Sequence, residues 1–246
     1  MVTLSLPTQP AASVTQLTTW VRSLFRTCRS ANQSQDCFST KPASAGFFIK
    51  YCTMFDDLKP LLILSPQRTG SHFVLNRLHE KFYAGVPTFA FNEVDEALKT
   101  NEMFVGISHN RYQEDELMDC NVVYCVRRSI ADSILSRVIA DNGQGTYTFD
   151  ASEREVLYHL AYQEAWFVHY CQQLDRQSNV VVYEVLEDIF PNVFTSTVDK
   201  RRVVLNYDQI VEFINSNIKP YFQQAHESFC DYPAQLNGQL MYKLLV

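Results

Sequence analysis

The sequence predicts an α/β fold, a single domain with a central parallel sheet flanked by helices. Three observations carry this. Short apolar runs alternate along the chain with segments of helical periodicity, the pattern of parallel strands joined by crossover helices that cover both faces. The first apolar run ends in a polar turn that leads directly into a helical pattern, the opening of an α/β unit. The 246 residues are 46% hydrophobic and 20% charged, enough to bury one core and too apolar for a disordered chain.

Pro60–Leu64 ends in the run Leu61-Leu62-Ile63-Leu64, which reads as a buried strand. The turn Ser65-Pro66-Gln67-Arg68-Thr69-Gly70 follows, and then Val74, Leu75, Leu78 and Phe82 recur at helical spacing. Asn92-Glu93-Val94-Asp95 resembles a helix start. Met103–Ser108, Asn121–Val126 and Asn179–Tyr183 are further strands. Ser129 is placed to cap a helix over Ile130–Ala140, with Asp132 three residues on. Asp150 or Ser152 starts a long helix to about Asp175, and Tyr207–Asn217 forms another before Pro220. Ligands of such sheets bind at the carboxyl ends of the strands, so the turns there hold the candidate site.

The remaining segment, residues 1–57, reads as an N-terminal extension, and 58–246 as the α/β domain. The extension is rich in Ser, Thr and Gln, and sets Arg22, Arg26, Arg29 and Lys41 against Asp36. Val14–Arg29 has the pattern of an amphipathic helix. The composition suits either a targeting segment or a plain docking helix. The net charge of −6 argues against a nucleic-acid partner, so clustered arginines are informative. Seven cysteines lie scattered without a C-x-x-C pair, which predicts free, mostly buried thiols in a reducing, cytoplasmic compartment. Every apolar run is too short for a membrane span.

Several chemistries lack their signatures. No Lys follows Gly70, and position 65 is Ser, so the Walker A pattern of ATP and GTP hydrolases is absent. His79-Glu80 is followed by Tyr83 where a zinc protease needs His, and His159 and His169 are not at ligand spacing. No metal is expected. There is no G-x-S-x-G elbow. Tyr158, Tyr162, Trp166 and Tyr170 fall at four-residue steps. They read as a core stripe, with an acceptor-site lining as the alternative.

What remains is a loop suited to phosphate. Arg68-Thr69-Gly70-Ser71 offers a cation, two hydroxyls, a glycine that lets an anion approach the backbone, and a helix N-terminus behind it. A second constellation follows the strand Asn121–Val126. Arg128 is followed by Asp132 four residues on and Ser136 eight residues on, which lie on one helix face. Each pattern alone also describes an ordinary strand–helix turn with solvated arginines.

Together and in this order, the segments resemble the PAPS-dependent sulfotransferases, of a divergent bacterial or carbohydrate type, over roughly residues 60–190. Pro66–Phe73 resembles their 5′-phosphosulfate loop. Arg68 stands at the cationic position, and Phe73 where the family often has Trp. The Arg128–Ser136 pattern resembles their 3′-phosphate motif, with Ile130 where Pro is common. Ile107-Ser108-His109 resembles the strand end that carries the family's catalytic histidine, with Ile107 in place of a Lys. His109 lies nineteen residues before Arg128. Asn179–Glu184 resembles the later strand that ends in Tyr-Glu. The family's C-terminal Arg-Lys-Gly segment is absent, and Lys200-Arg201-Arg202 lies in about its place.

The resemblance implies a P-loop-like sulfotransferase fold and transfer of a sulfuryl group from PAPS to a hydroxyl or amine of a small-molecule or carbohydrate acceptor. It implies His109 as the base, with Glu93 as the alternative, and Arg68 as the cation on the bridging oxygen. It implies Arg68, Thr69, Gly70, Ser71, His72 and Phe73 around the 5′-phosphate, Arg128 and Ser136 on the 3′-phosphate, and Tyr183 at the adenine; by position and charge, Lys200-Arg201-Arg202, with Arg201 the named residue, would close over the same 3′-phosphate. A kinase-like domain that uses ATP and a non-catalytic binding module on the same fold are the alternatives.

Overall fold

The computed structural model describes residues 59–246 except 101, 144, 175–178, 195–198 and 236–237. The N-terminal extension and its expected helix lie outside the described residues. The chain runs β1 (Leu61–Leu64), α1 (Ser71–Phe82), β2 (Thr88–Ala90), α2 (Asn92–Thr100), β3 (Val105–Ser108) and the single turn α3 (Glu114–Leu117). It continues through β4 (Asn121–Val126), α4 (Ile130–Asp141), α5 (Glu153–Cys171) and β5 (Asn179–Val182). Five helices close it: α6 (Tyr183–Ile189), α7 (Lys200–Val203), α8 (Tyr207–Asn217), α9 (Pro220–Gln235) and α10 (Gly238–Leu245).

The strands form one sheet in the order β2-β3-β1-β4-β5, and every pairing is parallel. β1 is central, with Leu64 level with Ser108 on one side and Tyr124 on the other. It is buried throughout because both of its faces are covered, which is why it reads as an unbroken apolar run. Alternate side chains enter different cores, as strand geometry demands. Leu61 and Ile63 pack with Val74 and Leu78 of α1, Leu186 of α6, and Met241 and Leu245 of α10. Leu62 and Leu64 join Ile134, Trp166, Ile210 and Phe222 from α4, α5, α8 and α9.

The connection after β1 leads toward the β2 edge, whereas that after β4 leads toward β5. The chain therefore diverges between β1 and β4, and their carboxyl ends border a crevice of the kind that receives ligands in open α/β sheets.

Four strands and the starts of α2 and α4 lie where the sequence places them. Ser129 caps α4, its Oγ accepting from Asp132 N at 3.1 Å. β2 was not expected, because a strand of three exposed to half-buried residues has no legible period. Nor were α9 and α10. Pro220 reads as a stop, but its fixed φ and missing N–H also suit the first position of a helix, and it heads α9. Tyr183, expected to end a strand, is the first residue of α6.

Gly106 of β3 is required by packing. A Cβ there would stand 2.9 Å from both Phe104 Cε2 and Val94 Cγ2. Gly106→Ala is expected to destabilise the fold by about 1–3 kcal/mol through overpacking, read as a lower urea midpoint. An unchanged midpoint would show that α2 moves aside freely.

Candidate functional site

The loop after β1 has the geometry that an anion needs. Arg68 and Gly70 both adopt left-handed backbone, with φ of 66° and 75°. Glycine pays nothing for this, whereas an arginine does. Thr69, between them, is buried, and its Oγ1 donates to Pro66 O at 3.1 Å. Gly70 is the N-cap of α1 without a side-chain cap. Its carbonyl accepts from Phe73 N and Val74 N. Among the described residues, the N–H groups of Thr69, Gly70, Ser71 and His72 have no acceptor. Those of Gly70, Ser71 and His72 are the orphan donors of a helix start, placed where the dipole favours negative charge, and that of Thr69 precedes them. Arg68 and His72 are exposed, while Ser71 is buried. Phe73 is half-buried against Phe190 and Phe194, at 4.9 Å between ring centroids in each case.

His109 follows β3 and is joined to this loop. Its Nδ1 lies 2.8 Å from Ser65 O and 3.2 Å from Ser65 Oγ. A carbonyl only accepts, so Nδ1 carries the proton and the neutral ring keeps its lone pair on Nε2. Burial lowers the pKa of His109, the Ser65 bond opposes that, and the fields of His72 and Arg137 add to the lowering. The Phe91 ring packs at 5.0 Å from the imidazole. Ile107, which stands where the resemblance expects a lysine, is buried in the core. Glu93, the alternative base, is exposed and accepts from Ala90 N at 3.2 Å, closing the start of α2.

At the end of β4 the structure brings Arg127, not Arg128, to Ser136. Arg127 Nη1 donates to Ser136 Oγ at 3.2 Å, and its guanidinium lies over the Tyr183 ring at 4.4 Å. Its side chain is only 12% exposed, with Nε buried and unpaired beyond a 3.8 Å approach to Glu184. Arg128 turns outward to Asp231 of α9 at 3.1 Å. Neighbouring residues that leave a strand point to opposite sides, so the spacing to Ser136 cannot tell which arginine turns inward. Glu184 accepts from Arg128 N and Ser129 N at 2.7 and 3.1 Å, and His226 Nε2 donates to Arg127 O at 2.7 Å. The strand end is thus held from α6 and α9.

Tyr183 links the two segments. A Cβ on Gly70 would meet its Cδ2 at 3.0 Å. Burial and Glu187 push its phenol up to about 12, so it stays protonated. Within Lys200–Arg202 the structure brings Lys200, not Arg201, to this region. Lys200 Nζ bonds the Asp132 carboxylate and, at 3.3 Å, its carbonyl. Arg201 pairs with Asp208 at 2.8 Å and lies over Tyr207, and Arg202 pairs with Asp199. One helical turn cannot aim three successive side chains the same way.

A group that sequence spacing missed is Asp141, Glu155 and His159, whose ligand atoms lie within 4.8 Å of one another. Asp141 is already paired with Arg137 and His159, and Glu155 accepts from Asn142. The described thiols are poor nucleophiles, since burial pushes Cys120 up to about 11 and Cys171 and Cys230 up to about 12. Among the described residues no helix is long and apolar enough to cross a membrane.

Fold and site together define an open, all-parallel α/β protein whose strand ends gather a left-handed loop, a histidine and a largely buried arginine. No family model matches the sequence, and neither does any curated protein. Among solved structures, the chain is similar to mouse sulfotransferase SULT7A1 complexed with PAP, at 16% identity and a TM-score of 0.38. The similarity covers 70% of this chain and 63% of that one, so the chain spans less than two thirds of that protein's length.

Proposed function

We propose that this chain transfers a sulfuryl group from PAPS to a hydroxyl or amine of a small-molecule or carbohydrate acceptor. The observation that carries the reading is the bond from His109 Nδ1 to Ser65 O at 2.8 Å. It makes the base and the loop that follows Ser65 one rigid unit. His109 Nε2 takes the acceptor proton as the acceptor atom forms its bond to sulfur. The bond from sulfur to the 5′-phosphate oxygen breaks, and its electron pair leaves on adenosine 3′,5′-bisphosphate. Charge on that oxygen is met by Arg68 and the N–H groups of Thr69, Gly70, Ser71 and His72, which is electrostatic stabilisation by prearranged donors.

The 3′-phosphate is assigned to Arg127 and Ser136, with Lys200 beside them in place of Arg201, and Tyr183 borders the nucleoside. Support for this comes from the largely buried Arg127 guanidinium, which already reaches Ser136 and lies over Tyr183.

Thermal shift tests the reading. Adenosine 3′,5′-bisphosphate at 100 times its Kd adds about 2.7 kcal/mol of stability, so the melting temperature should rise by several degrees. ATP should raise it far less. Stabilisation by ATP alone would replace this proposal with an ATP-using kinase. Binding of the bisphosphate without turnover in an acceptor screen with radiolabelled PAPS would leave a binding module.

A further inference from the structure

The segment from His109 to Tyr112 leaves the sheet and lies in neither a strand nor a helix. Its backbone polar groups need partners. Asn110 N donates to Ser108 Oγ at 3.1 Å, and the carbonyls of His109, Asn110 and Tyr112 and the Tyr112 N–H are met from α5 and the residues just after it. Tyr162 OH donates to His109 O at 2.6 Å. Tyr170 OH donates to Asn110 O at 2.8 Å and accepts from Tyr112 N at 3.0 Å. His169 Nε2 and Gln173 Nε2 donate to Tyr112 O at 2.7 and 2.9 Å. Tyr162 and His169, two turns apart, share a face of α5 with Tyr170 beside it, and Gln173 follows just past the helix, so the four form a row of rungs along the segment. From the opposite side, Tyr112 OH reaches Asp95 Oδ1 and Ser108 Oγ at 2.6 and 2.8 Å.

We infer that Tyr162 is a positioning residue for His109, its hydroxyl fixing the His109 carbonyl so that the imidazole keeps Nδ1 on Ser65 O and Nε2 free. His109 is therefore held at two points, its ring by the β1 loop and its backbone by α5. A core stripe needs only ring packing, which phenylalanine would supply equally well. The hydroxyl is what the stripe reading leaves unexplained. Burial pushes the Tyr162 phenol up to about 12, so it is a lasting donor at neutral pH. His72 from α1 and Arg137 from α4 also act on the imidazole, but neither is bonded to it.

The inference rests on the sulfotransferase reading only for its kinetic readout. In the full chain labelled with ¹⁵N-histidine, the His109 ring signals are assigned by their loss in His109→Ala. The wild type should show Nδ1 protonated and Nε2 bare. Tyr162→Phe should give a mixture of tautomers, and turnover should fall about tenfold to a hundredfold at an unchanged KM for PAPS. Tyr170→Phe, which frees the carbonyl of Asn110 next to His109, should show the same change in smaller measure and serves if Tyr162→Phe does not fold. A single His109 tautomer identical to wild type in both variants would overturn the inference. Absence of PAPS turnover in the wild type would sink the proposed function instead, and the tautomer readout would still decide the role of Tyr162.

Discussion

His109→Ala is expected to lower turnover by about 10²–10⁴-fold, the usual worth of a positioned general base, with affinity for adenosine 3′,5′-bisphosphate nearly intact. The separation follows from where the groups sit. Nδ1 is committed to Ser65, so in the proposed reaction the ring would meet the acceptor through Nε2, while the nucleotide is assigned to the loop amides and Arg127. The pH profile adds a signed test. Burial, the largest influence on His109, lowers its pKa, so the neutral ring survives to lower pH than an ordinary histidine. Activity should therefore be flat near neutrality and fall only below about pH 6.5, the usual histidine value, as the ring protonates. An acid limb centred above that value would point to another base. Wild-type turnover in His109→Ala would move the role elsewhere, to Glu93 first.

Arg127→Ala is expected to weaken the bisphosphate by roughly tenfold to 150-fold, from a charged hydrogen bond worth about 1.5–3 kcal/mol. Adenosine 5′-phosphate, which lacks the 3′ group, should lose far less. The contrast with Arg128→Ala is the sharper part. Arg128 forms an ion pair with Asp231 in which both side chains are more than half exposed, and pairs of that kind contribute little. Its removal should leave the bisphosphate within about threefold of wild type. The opposite ranking, measured by titration calorimetry on both variants, would return the 3′-phosphate to Arg128.

Much of the fold was legible because each level of its pattern agreed with the next. β1, β3 and β5 are buried strands and β4 is buried over Val123–Val126, and short, mostly apolar runs between turn signals suit the interior of a parallel sheet. Ser129 announces α4 because an uncapped helix start is costly. β2 was not legible, since its three residues gain their place by pairing with β3 rather than from a pattern of their own. The candidate site was legible as segments and not as side chains. The loop at 66–73 and the strand end at 126–128 lie at neighbouring strand ends, but the structure turns Arg127 rather than Arg128 toward Ser136, and Lys200 rather than Arg201 toward Asp132. Which side a residue faces as it leaves a strand or winds one short turn depends on neighbours from α6, α9 and α4 that are distant in sequence.

The sequence by itself determined the class of fold, the edge of the sheet where the candidate site lies, and the residue types available there. Periodicity and turn chemistry are local and survive without knowledge of the packing. Only the tertiary structure decided which of those residues meet. It joined His109 to Ser65, forty-four residues away, and so set the tautomer. It placed Arg127 over Tyr183, and it turned the Tyr162 hydroxyl toward the His109 carbonyl. Such contacts depend on how helices cross a sheet, and a spacing along the chain carries no record of that.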